Sequence, residues 1–161
     1  MTSTFARRWL RTGSIIAVID FLFSSVLVMF FYQSTFARLW QGVASTLIGP
    51  SAFDRGASTI ALGLIMHIGV AFAWSLLFLL AFDRVAAIRR AARSVPGALA
   101  LAVVYGPLIW LTMSFLVIPS MTHRPPTIAF RWWVQFFGHI PFVAMPIVWS
   151  VRARAPSSTA H

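Results

Sequence analysis

Three ionisable residues stand inside otherwise apolar runs: Asp20, His67 and His139. Histidine titrates near neutral pH, and a carboxylate beside it can take the proton. The first chemistry this pattern suggests is therefore proton exchange within a membrane. An ionisable residue at membrane depth costs about 2.5–3.5 kcal/mol on insertion scales and by default faces the bundle interior. Tyr105, Gln135 and Thr112 add neutral polar groups. Two histidines on different spans could also serve as axial haem ligands. A zinc site would need a third ligand, for which only Asp20 is in reach. Nucleophile–base–acid constellations, phosphate loops and paired carboxylates are missing, so the chain is not read as an enzyme and no cofactor or metal is assigned. The same polar groups can simply bond between helices, contributing about 0.6–2 kcal/mol each. Fixing helix packing is the leading reading. A small transporter, channel or proton relay using Asp20, His67 and His139 is the alternative, and a bis-His haem or metal site the second.

Composition dictates what must carry these groups. Of 161 residues, 59% are hydrophobic and 10% are charged, with 15 Phe and 7 Trp. A soluble domain needs about 25% charged residues to cover itself, so the solvent here is lipid. Four stretches reach the ~20 residues that cross a hydrocarbon core of about 30 Å: 13–32, 57–82, 96–118 and 132–151. Lipid forces each to satisfy its own backbone, so each is expected to be a helix, giving an all-α four-helix transmembrane bundle over 13–151. Continuous rather than alternating apolarity argues against a barrel. Residues 1–12 read as a basic N-terminus and 152–161 as a disordered tail, both cytoplasmic. The first span is longer than the 7–15 apolar residues of a cleaved signal and is expected to be retained.

Between the first two spans, 34–48 has a helical period. Phe36, Leu39, Trp40, Val43 and Leu47 fall on one face, while Gln33, Thr35, Arg38, Gln41, Ser45 and Thr46 fill most other positions. Gly49-Pro50 ends it. An amphipathic helix on the outer membrane surface, or capping the bundle, is the expectation.

Spacing also assigns faces. Thr59, Gly63, His67, Ala71 and Ser75 recur every four residues, and Gly13, Ala17, Asp20 and Ser24 make a similar stripe. Small residues let helix backbones approach, so both stripes are predicted packing seams. Gln135 and His139 share a face of the fourth span. Counted at about 1.5 Å per residue from the cytoplasmic ends, Asp20 comes out about 12 Å deep, Tyr105 about 14 Å, His139 about 18 Å, His67 about 22 Å and Gln135 about 24 Å. That order is a staircase of proton-exchanging groups. In "YGPLIW", Pro107 removes a backbone donor beside Gly106, and Pro141 and Pro146 do the same in the fourth span, so kinks are expected.

The net charge of +10 comes from thirteen Arg and three Asp, with no Lys. Nine Arg fall on one side (Arg7, Arg8, Arg11, Arg84, Arg89, Arg90, Arg93, Arg152, Arg154) and four on the other (Arg38, Arg55, Arg124, Arg131). The richer side is expected to be cytoplasmic, with both termini inside the inner membrane. Arg84, Arg89, Arg90 and Arg93 are placed to meet anionic headgroups, each worth about 1 kcal/mol near the surface. Arginines at span ends fit lipid rather than nucleic acid, and a homo-oligomer would fit a path between subunits. Absence of Cys excludes disulfides and thiol chemistry.

The stretches "PSAFDRGASTIALGLIMHIGVAFAWSLLF", "YGPLIWLTMSFLVIPS" and "GHIPFVAMPIVW" resemble a group of small uncharacterised bacterial four-span membrane proteins. In that group an "AF-x-GG" stretch leads into a span with a Leu-His-Phe-like core, "YG" opens the third span, and a His with a Val-Gly-Leu-Pro-like run marks the last. Ala52-Phe53, His67, Tyr105-Gly106, His139 and Pro146 match; Asp54-Arg55, Ile68 and Met113-Ser114 depart. The resemblance covers most of the chain beyond residue 33. It implies a multi-pass membrane protein and carries no activity.

Overall fold

A computed structural model describes residues 3–152. The tail beyond Arg152, with Arg154, lies outside the described residues. Six helices carry the fold: α1 (Ser3–Phe31), α3 (Ala57–Arg84), α5 (Val95–Thr122) and α6 (Phe130–Arg152), each long and apolar enough to cross a membrane, with α2 (Phe36–Ile48) and α4 (Ala86–Ala92) as connectors. No strand occurs among the described residues.

The packing inverts a soluble bundle. Ile16, Ala17, Ala71, Ala98, Ala102 and Ala144 sit in the core, while Leu22, Phe30, Ile65, Val104 and Leu116 are more than half exposed on the outside. Phe78, Ile109, Ile147 and Val148 fill the core between these alanines; large apolar side chains outside are what lipid solvation allows, and the small ones inside let helix backbones approach. Glycine supplies the closest approaches. A Cβ at Gly63 would strike the Trp40 carbonyl of α2, and one at Gly106 would stand 2.8 Å from the Ile140 amide nitrogen of α6. Gly106 thus serves α5–α6 contact. Helix α5 runs through Pro107 without an assigned break up to Thr112. Wider π turns appear instead at Leu27–Phe31, Met113–Val117 and Ile140–Ala144, the last containing Pro141.

Polar ties define the two ends. Arg8 donates to Asp83 at 3.1 Å and Thr12 to Ser150 at 3.0 Å. The start of α1 and the ends of α3 and α6 therefore share one end of the bundle, together with α4. Arg89 of α4 turns back to donate to the Asp83 and Phe82 carbonyls at 2.7 and 3.2 Å, covering acceptors that the last turn of α3 leaves open. Ser94 caps α5 by accepting from the Gly97 amide.

Helix α2 is present, capped by Thr35, whose side chain accepts from the Arg38 amide. It folds back along α3 through two turns that need positive φ, at Gly49 (φ 74°) and Gly56 (φ 59°). The residues of the apolar face are split: Trp40 is buried against the bundle with Gln41 and Ala44, while Phe36 and Leu47 stay exposed. The reason is that α2 packs on the small-residue seam of α3 around Gly63, which selects the face that fits.

Candidate functional site

The seam on α3 places its histidine. Thr59, Gly63, Ala71 and Ser75 are buried, and His67 lies between them with 11% of its side chain exposed. Gly13 and Ala17 are likewise buried on α1, whereas Ser24 is half-buried. Across this contact His67 Nε2 lies 3.1 Å from the Ala17 carbonyl oxygen, and Nδ1 lies 3.7 Å from Asp20 Oδ2. A carbonyl can only accept. Nε2 therefore carries the hydrogen, and Nδ1 is the nitrogen that faces the carboxylate. The Trp40 ring closes the site from α2, 5.0 Å from the imidazole at an interplanar angle of 64°, and Phe21 stacks on that indole at 5.3 Å.

This pairing corrects the depth staircase. Asp20 and His67 occupy one level, not two about 10 Å apart. Helix α1 extends to Ser3 and its Arg8 is level with Asp83, so counting from Gly13 set Asp20 too shallow.

His139 is a second centre. It is 8% exposed, and its Nδ1 donates to the Gln135 carbonyl one turn earlier at 2.6 Å. Trp110 of α5 lies 5.1 Å from its ring. Its neighbour Gly138 sits under the Phe23 ring of α1, and Phe23 stacks on Phe142 at 4.4 Å. Asp20 is one turn before Phe23, and the partner of its carboxylate is His67. Gln135 enters through its backbone. Tyr105 is apart from all three and donates to the Trp74 carbonyl of α3 at 2.7 Å. Thr112 is half-buried. Among the described residues no group of three His, Cys, Asp or Glu could hold a metal ion.

In comparison with known proteins, no family model matches the chain, and neither a curated protein nor a solved structure does.

Several partners were not legible beforehand. Backbone carbonyls of Ala17, Trp74, Phe72 and Gln135 are the acceptors, with Trp9 Nε1 donating to Phe72 at 2.8 Å. The Arg8–Asp83 pair did leave a trace, since opposite charges stand at matching ends of two consecutive spans. Trp132 donates to Ser114 at 2.6 Å, joining α6 to α5.

Tyr105→Phe removes one hydroxyl from the α3–α5 contact without changing its shape. The Phe variant is expected to lose about 1 kcal/mol of stability in a detergent unfolding titration, the scale of an intramembrane hydrogen bond. An unchanged midpoint would mean that the phenol finds no partner on α3.

Proposed function

We propose that this is a non-enzymatic multi-pass protein of the inner membrane, with both termini cytoplasmic, in which Asp20, His67, Tyr105 and His139 fix the packing of the helices. One observation carries this reading: His67 ends on the Ala17 carbonyl of the neighbouring helix at 3.1 Å, in the middle of a small-residue seam. Tyr105 ends on a carbonyl of α3 in the same way. His67 and Tyr105 are thereby satisfied by backbone, which lipid cannot do. The start of α1 and the end of α6 share the end that carries Arg7, Arg8, Arg11, Arg84, Arg90 and Arg93, which the positive-inside rule puts in the cytoplasm. Arg84, Arg90 and Arg93 are exposed there and meet anionic headgroups. At the other end α2 caps the bundle beside α3.

A second reading rests on a separate observation. His67 Nδ1 and Asp20 Oδ2, 3.7 Å apart, face each other as a lone pair and a carboxylate unless one proton is shared between them. Such a pair can load and release a proton, as a relay requires. A haem would demand more, because His67 would have to surrender Asp20 or Ala17 to a metal.

His67→Asn separates the two. Asparagine keeps a donor for Ala17 but cannot titrate. With the protein reconstituted in liposomes holding a pH-sensitive dye, packing predicts that wild type and the Asn variant dissipate an imposed pH gradient at the same rate. Proton flux present in wild type and lost in the Asn variant would replace packing by the relay.

A further inference from the structure

A groove runs along the outside of the bundle between α1 and α6. One section, about 530 Å³, is walled by Leu22, Phe23 and Phe142. A middle section of about 600 Å³ is bounded by Leu27, Phe31 and Val134. Leu27 and Phe31 border both sections, so the two are continuous. From Ile19 to Tyr32 the groove spans about 20 Å at the rise of a helix, more than the half-thickness of a hydrocarbon core. The π turns Leu27–Phe31 and Ile140–Ala144 supply parts of both walls, and such turns widen a helix locally, frequently at functional sites.

The chemistry changes at the end away from the termini. There a section of about 410 Å³ is lined by Tyr32, Trp110, Ser114, Arg124, Arg131 and Gln135, and Tyr32 and Arg131 border the middle section too. Among the described residues the ion pairs are Arg8–Asp83 and Asp20–His67, so neither Arg124 nor Arg131 pairs with a carboxylate. The Arg131 guanidinium rests 4.3 Å from the centre of the Tyr32 ring. The Tyr32 hydroxyl and Trp110 Nε1 are both buried without a hydrogen-bond partner. An unsatisfied buried donor costs about 1–3 kcal/mol, which a ligand oxygen would remove. Burial pushes the Tyr32 phenol above its ordinary range, against a smaller pull from Arg131. At neutral pH it therefore keeps its O–H to donate.

Two unpaired cations and free donors at one end of an apolar channel describe an amphiphile with an anionic head. We propose that the α1–α6 groove is a binding site for an anionic phospholipid, with its phosphate between Arg124, Arg131 and the Tyr32 hydroxyl and one acyl chain laid over Leu27, Phe31 and Val134 toward Phe142. This assignment does not depend on whether Asp20 and His67 act in packing or in proton exchange.

The test uses the full chain in detergent, titrated with phosphatidylglycerol, with phosphatidylcholine of the same acyl chains, and with inorganic phosphate. Lipid occupancy is read by native mass spectrometry and by thermal stability. Phosphatidylglycerol is expected to bind at least fivefold more tightly than phosphatidylcholine. Arg124→Gln, at an exposed residue outside every ion pair, is expected to erase about fivefold of that preference, the scale of one arginine at an anionic surface. Arg131→Gln is expected to do the same, and Arg90→Gln at the opposite end to leave it intact. Val134→Trp fills the middle section and is expected to weaken both lipids. Equal affinity for the two lipids, or a preference unchanged in Arg124→Gln, overturns the proposal. Millimolar phosphate reproducing the stabilisation and displacing no lipid would instead make the end section a small-anion site and also overturn it.

Discussion

Gly63→Ala is expected to unseat α2 and cost about 3 kcal/mol, while Gly69→Ala on the same helix is expected to be harmless. Both substitutions add one methyl group to α3. At Gly63 that methyl would meet the carbonyl carbon and oxygen of Trp40, which are backbone and cannot rotate away. Overpacking a filled contact costs about 1–3 kcal/mol, and a rigid obstacle puts this case at the upper end. At Gly69 nothing stands within 4 Å, so alanine's helix propensity, worth about 1 kcal/mol over glycine, has nothing against it. Equilibrium unfolding in mixed micelles checks both. If the two variants unfold together, α2 does not sit on the seam of α3. A third variant, Gly42→Ala, reports on α2 itself; it also has open space and is expected to match Gly69→Ala. The contact matters beyond stability because Trp40 is the residue that closes over His67. Displacing α2 removes that ring from the site.

The same seam shows what the amino-acid order can reveal about a membrane fold. Small residues at four-residue spacing around His67 mark a face that must meet another helix, and Gly63, Ala71 and Ser75 are buried there. Asp20 and His67 were legible as interior groups because lipid penalises them elsewhere. Asp20 is one of several partners the sequence offers His67, and the choice among them is set by the register, which depends on helix length beyond the apolar run. Helix α1 starts at Ser3, well before Gly13. The helical period of 34–48 announces α2 but not which side meets the bundle: α2 buries Gln41 and leaves Phe36 and Leu47 exposed, because its contact is set by Gly63 of α3. Least visible of all were the acceptors. His67, Tyr105 and Trp9 each bond to a main-chain carbonyl, a group that every residue carries and no side-chain pattern announces.

Breaking the Asp20–His67 pair from one side is expected to be worse than removing both partners. His67→Leu leaves the Asp20 carboxylate facing an apolar side chain, with the Phe21–Trp40 stack beside it. Removing one partner of a fully buried ion pair costs about 3–5 kcal/mol. Asp20 keeps 19% of its side chain exposed, so a loss of about 2 kcal/mol is expected here. The Ala17 carbonyl adds little to this, because it remains within the α1 hydrogen-bond ladder. Adding Asp20→Leu to His67→Leu removes the stranded charge, and the double variant is expected to recover at least half of what the single variant lost. Unfolding of wild type, both single variants and the double variant closes the thermodynamic cycle. A coupling energy near zero would mean that the two side chains do not stabilise one another.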